Sequence, residues 1–198
     1  MNDDPIHVAG IYGSPRKGGN SATLLDAALA GAEERGADVE RIHLQGLDFA
    51  GCQNCGYCSR HGECVLKDDM SVVYDALDHR DVIVLAAPIY FTSVPAQTKA
   101  MIDRCQPYWA RKYVLKTPRA RGDQAGGFVC CCGFEDDRFL PCTEKIVKTW
   151  YFILGVAYAG PLFIPGLDAR GDAERHPSAT DDARRYGGQL VEERKARE

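Results

Sequence analysis

The chain has 198 residues, 45% of them hydrophobic, and a formal net charge of -4, proportions that suit one large globular domain spanning residues 1–198. Mild acidity excludes the broad basic field that gathers nucleic acid or anionic lipid, so small molecules and other proteins are the expected partners. No stretch offers 18 unbroken apolar residues, and Met1-Asn2-Asp3-Asp4 has neither the basic nor the apolar region of a secretory leader, so no membrane span and a cytoplasmic location are expected. Apolar runs alternate with helical periodicity along the whole chain. A strand is predicted over 6–11, then a helix from about Ser21 whose Leu24, Leu25, Ala28, Leu29 and Ala32 share one face, ended by Gly36. A second strand fits 39–44, and a short helix starting near Asp69 buries Met70, Val73, Tyr74 and Leu77. The run Val-Ile-Val-Leu-Ala-Ala over 82–87 reads as a central strand covered on both faces and stopped by Pro88.

A helix follows over about 95–104, and the polar, Pro- and Arg-containing stretch 106–124 reads as a surface excursion. A fourth strand is predicted over 127–132, and a helix over 143–154 closed by Gly155. A fifth strand over 156–163 and a charged helix over about 181–195 complete the pattern. Repeated strand–helix–strand units predict an α/β fold of the doubly wound, flavodoxin-like kind, with a five-stranded parallel sheet in the order 2-1-3-4-5. In that order the chain reverses beside strands 1 and 3, and a binding crevice is expected at their carboxyl ends.

The residues leaving strand 1 read Gly13-Ser14-Pro15-Arg16-Lys17-Gly18-Gly19-Asn20-Ser21 and open directly into a helix. Unpaired N–H groups and the helix dipole suit a phosphate there, with Ser14, Asn20 and Ser21 as further donors and Arg16 as a formal charge. The same residues also admit a plain reading in which Asn20 or Ser21 caps the helix without any ligand. Neither a Walker A motif nor Gly-x-Gly-x-x-Gly is present.

Gly-Ser-Pro-Arg-x-x-x-Asn-Ser at 13–21 resembles the NADPH-dependent FMN reductase superfamily, in which this loop holds the flavin phosphate. Pro88-Ile89-Tyr90-Phe91-Thr92-Ser93-Val94-Pro95 is similar to the family's second flavin loop, and the likeness continues through Lys67-Asp68-Asp69-Met70 and 165–172. The resemblance implies FMN contacts from Ser14, Arg16, Asn20, Ser21, Ala22, Pro88, Ile89, Tyr90, Phe91, Thr92 and Ser93. Cys132 and Gly133 are added where relatives carry glycine-rich sequence. It also implies NAD(P)H as electron donor and a homodimer or homotetramer. Tyr108, Trp109 and Tyr113 suit an interface or buried packing.

Four of the nine cysteines lie within thirteen residues, as Cys52-x2-Cys55-x2-Cys58-x5-Cys64 in a glycine-bearing loop at 50–66. Four soft thiolates suit a [4Fe–4S] cluster. They suit zinc as well, and a loop without metal is the third alternative. The motif looks like that of the iron-sulfur flavoproteins, and that resemblance assigns the cluster to these four side chains. Cys105, Cys130, Cys131, Cys132 and Cys142 are expected to behave as small hydrophobes.

Of the five histidines none is expected to be catalytic, and His61 is read as a solvated loop residue. Asp68 and Asp69 are expected to begin and cap a helix, and the charge run 192–198 to form a solvated terminal helix or frayed tail. The expected function is an FMN-dependent oxidoreductase driven by NAD(P)H or a reduced carrier, acting on a small redox substrate or a carrier protein. Two other readings stay open. One is a non-catalytic flavin module serving a protein partner, and the other is a zinc-bound interaction protein on the same scaffold.

Overall fold

Unbroken apolar strands need a covering layer on each face, and in the computed structural model, which describes residues 4–119 and 121–197, they have it. Strands β1 His7–Tyr12, β2 Asp38–His43, β3 Val82–Pro88, β4 Ala125–Cys131 and β5 Ala157–Ile164 form one parallel sheet in the order 2-1-3-4-5. The helices are α1 Asn20–Glu33, α2 Cys58–His61, α3 Met70–His79, α4 Ala96–Asp103, α5 Gln106–Tyr113, α6 Leu140–Leu154, α7 Asp172–Arg175 and α8 Ala179–Lys195, with a 3-10 turn at Leu44–Gly46. The expectations that touch residues 1–3, 120 and 198 lie outside the described residues. Among those described, no helix is long and apolar enough to cross a membrane.

Two apolar layers flank the sheet. Leu24, Leu25 and Leu29 of α1 pack with Leu190 and Val191 of α8 on one face. Met70, Leu77, Met101, Tyr108, Trp150 and Tyr151, from α3 to α6, cover the other. The β3 run is buried throughout except at Pro88, which ends the strand inside it. Where β4 and β5 slip register, between Gly126 and Phe128, the Tyr186 hydroxyl donates to the Gly160 carbonyl at 2.5 Å and accepts the Phe128 N–H at 3.0 Å. A tyrosine from α8 thus satisfies the groups that the irregularity frees.

Three expectations are corrected. The stretch 106–124 is not a loose excursion. Pro107 stands in the first turn of α5, where its missing N–H costs nothing, and α5 buries Pro107, Tyr108 and Ala110. Arg119 then pairs with Asp78 at 3.2 Å and Arg121 with Asp81 at 2.5 Å, tying the following segment to the strand entry. The second correction concerns Cys142, which is exposed on the first turn of α6, unlike the four other cysteines expected to be buried. The third concerns Asp68 and Asp69, of which neither is a plain cap. Asp68 takes the Met70 N–H at 3.2 Å but gives its main interaction to Arg104, and Asp69 reaches back to the Asp48 N–H at 2.8 Å.

Candidate functional site

At the carboxyl edge β1 lies between β2 and β3, so the loops leaving β1 and β3 part and leave a crevice. A cleft of about 370 Å³ opens there, a volume in the range of small-molecule sites. Its lining includes Ser14, Arg16, Gly19, Asn20 and Ser21 from the first loop and Pro88, Ile89 and Tyr90 from the second. Cys131, Cys132, Gly133 and Phe134 follow β4, and Leu167 and Asp168 follow β5.

The first loop is fixed to its neighbours by Gly13. Its N–H donates to the Ala86 carbonyl at 2.7 Å, and its carbonyl accepts from Thr98 Oγ1 at 2.7 Å and Gln97 Nε2 at 3.3 Å. The helix that follows has no side-chain cap, because its N-cap is Gly19. Among the described residues the N–H groups of Gly19, Asn20 and Ser21 find no acceptor. These orphan donors at the positive end of a 14-residue helix form an anion cradle with Arg16 beside it. The capping alternative therefore does not describe this loop. Asn20 does something else. Its Nδ2 donates to the Ala169 carbonyl at 2.9 Å and its Oδ1 accepts the Ala173 N–H at 3.2 Å, which draws the loop after β5 against α1. Ser14 Oγ accepts the Arg16 N–H at 3.1 Å, so its own proton is available to the cleft.

Tyr90 and Ser93 exchange backbone bonds of 2.8 and 2.9 Å around Phe91 and Thr92, both with positive φ (49° and 62°). Non-glycine residues pay roughly 1–2 kcal/mol each for that conformation. The turn leaves Phe91 fully exposed, at 100%. Phe91, Thr92 and Ser93 thus stand outside the cleft lining, as does Ala22, which is buried in the first turns of α1. Phe134, Leu167 and Asp168 are not among the cofactor contacts expected from sequence, although Leu167 and Asp168 lie in the stretch 165–172. Their positions depend on two long-range bonds, Leu167 N–H to the Cys132 carbonyl and Gly166 N–H to the Phe134 carbonyl, both 2.8 Å, which zip the two loops together.

A second cavity, of about 100 Å³, shares no lining residue with the cleft. Cys52, Cys55, Cys58 and Cys64 all face it, with Arg104, Pro107 and Trp109 among the other walls. Positive φ at Asn54, Gly56 and Gly62 lets the short loop wrap around it, and Arg111 Nε donates to the Gly62 carbonyl at 2.6 Å to hold its far end. Among the described residues the thiols are not drawn into the spacing of a ligated ion. They still influence one another. Partial burial pushes the Cys58 thiol up, and the charges of Cys52, Cys55 and Cys64 push it further. As thiolates, four such groups would need a positive centre among them, which a bound metal would supply. The donor set fits such a centre. His61 stacks on Tyr57, with ring centroids 4.1 Å apart, rather than entering the cavity lining.

Residues 6–133 match the family of NADPH-dependent FMN reductases. An iron-sulfur flavoprotein of Archaeoglobus fulgidus is 38% identical over 163 residues, which are 81% of this chain and 71% of that protein. The iron-sulfur flavoprotein of Methanosarcina thermophila is 37% identical over 62% of this chain and 64% of its own length, so the chain spans about two thirds of these relatives. The NAD(P)H:quinone oxidoreductase from Methanothermobacter marburgensis superposes with a TM-score of 0.72, covering 94% of this chain and 96% of that one at 20% identity, which shows a common fold.

Proposed function

The chain belongs to the NADPH-dependent FMN reductase family, and on that premise we propose that it takes electrons from NAD(P)H or a reduced carrier onto FMN and exchanges them through a [4Fe–4S] cluster. In this reading Cys52, Cys55, Cys58 and Cys64 hold the cluster. The observation that carries it is the pair of cavities: an uncapped helix start opening on one, four cysteines facing the other. α4 touches both sites, its Gln97 and Thr98 bonding the Gly13 carbonyl of the first loop and Arg104 at its end lining the four-cysteine cavity.

Bound FMN supplies acceptance of two electrons and their release one at a time. The protein's own part is positioning. The N–H groups at the start of α1, with Arg16, hold the phosphate. Pro88, Ile89 and Tyr90 from one loop and Cys132, Gly133 and Phe134 from another line the cleft and would hold the ring. No side chain is required as general acid or base.

Arg16→Ala is expected to raise the Kd for FMN about tenfold, the order of one charge-assisted hydrogen bond. Riboflavin, which has no phosphate, should bind the variant as it binds the parent, and fluorescence titration of both ligands checks this. An equal loss for both ligands would remove Arg16 from the phosphate site.

Anaerobic purification with flavin, iron, sulfide and zinc measured on one sample tests the whole reading. Flavin with stoichiometric iron and sulfide supports it. Flavin with zinc, or with no metal, overturns the cluster, and absence of flavin overturns both parts. Cys55→Ala is expected to lose iron and sulfide while keeping FMN, because the two cavities share no residue. Reduction of the flavin by NAD(P)H within a turnover separates an enzyme from a module that only relays electrons to a protein.

A further inference from the structure

Among the described residues the largest fully buried side chain is a charged one, Arg104, at 1% exposure. It stands at the end of α4 and lines the four-cysteine cavity. Its Nη1 and Nη2 donate to the two Asp68 oxygens at 2.7 and 2.9 Å, and Nη1 also donates to the Ala50 carbonyl at 2.7 Å, at the entry of the cysteine loop. Its Nε is buried and has no partner. A buried donor left open is uncommon in a folded chain and calls for a use. A guanidinium keeps its charge in any surroundings, so Arg104 places a permanent cation against the cavity. Arg104 and all four cysteines line the same cavity, so that cation faces the thiol groups.

Four thiolates around iron and sulfide carry net negative charge, and reduction adds one more electron to it. Local charge and hydrogen bonds to the sulfurs are the levers a protein has on the potential of such a centre. We propose that Arg104 is the internal counter-charge of the four-cysteine site, a positioning residue whose guanidinium favours the reduced state and raises its potential, with Asp68 opposing it. This rests on the cluster reading above. It adds to that reading a sign for each residue. Removing the cation should make the centre harder to reduce, and removing the anion should make it easier.

The test is a redox titration of the anaerobically purified full chain, following the reduced cluster by electron paramagnetic resonance. Circular dichroism and flavin content serve as checks on folding. In Arg104→Gln the reduced-to-oxidised ratio at a fixed potential is expected to fall at least tenfold, equivalent to about 59 mV for a one-electron couple. Arg104→Lys, which keeps the charge, should stay within a few-fold of the parent. Asp68→Asn should raise the ratio. A residue that merely braces the loop would move Arg104→Gln and Asp68→Asn the same way, or neither, and that result with the cluster intact overturns the proposal while leaving the cluster reading standing. If Arg104→Gln loses its cluster, Asp68→Asn decides alone, a raised ratio supporting the counter-charge and an unchanged or lowered one overturning it. Parent protein without iron and sulfide overturns both readings together.

Discussion

Replacing Gly13 by alanine is expected to lower the thermal midpoint by roughly 6–12 °C and to leave the purified protein largely without flavin. A Cβ on Gly13 would overlap Thr98 Oγ1 and sit 2.9 Å from the Ala86 carbonyl oxygen. One of these neighbours is a side chain that can turn, and the other is the backbone of a central strand. Overpacking typically costs about 1–3 kcal/mol, and a clash with fixed backbone belongs at the upper end of that range. For a chain of this size each kcal/mol is worth about 2–4 °C, which gives the expected shift. The flavin is lost for a separate reason. Gly13 hangs the phosphate loop on Ala86, Thr98 and Gln97, so moving it displaces the start of α1. In a Gly13→Ala/Thr98→Ala double variant only the hydroxyl clash is relieved, and partial recovery is expected. Calorimetry and the flavin-to-protein absorbance ratio check both effects. A Gly13→Ala protein that melts and binds flavin like the parent would show that this close packing does not position the loop.

The sheet order was legible because each strand announces itself locally. Val82 to Ala87 have no polar residue among them, and all are buried. The uncapped loop before α1 was legible for a similar reason, since glycine, serine, arginine and a helix start are neighbours in the sequence. What escaped depends on partners far away. Asn20 reads as a cap or phosphate donor, and only the fold reveals that its amide joins Ala169 and Ala173, about 150 residues on. Residues 106–124 look like a loop because proline and arginine are rich there, whereas Arg119 and Arg121 are claimed by Asp78 and Asp81 from a distant element. Arg104 carries no sequence signal at all. Its role emerges from one helix end, one acidic turn and one cysteine loop meeting at a buried guanidinium.

The crossing of α1 and α8 is equally hidden, and it yields a prediction in which adjacent glycines behave oppositely. A Cβ on Gly187 would overlap the Ala28 carbonyl oxygen, and one on Gly31 would overlap that of Arg184, so at this crossing the two helices touch backbone to backbone. One residue on, a Cβ at Gly188 would meet the Gly31 oxygen at 3.4 Å, an ordinary contact. Gly187→Ala is expected to cost about 3 kcal/mol, since neither carbonyl can yield without the helices separating. Gly188→Ala should be neutral or stabilising by up to about 1 kcal/mol, the usual gain when alanine replaces a helical glycine. Gly31→Ala should match Gly187→Ala, and the double variant should cost less than their sum, because one separation of the helices accommodates both methyls. The helix being displaced is the one whose first turn forms the anion cradle, so Gly187→Ala should also weaken FMN binding more than riboflavin binding. Denaturant midpoints for the four variants, with Kd values for both flavins, test the chain of effects. Equal stability of the Gly187 and Gly188 variants would mean that the helices pack at ordinary distance, and their crossing would then have no hold on the phosphate site.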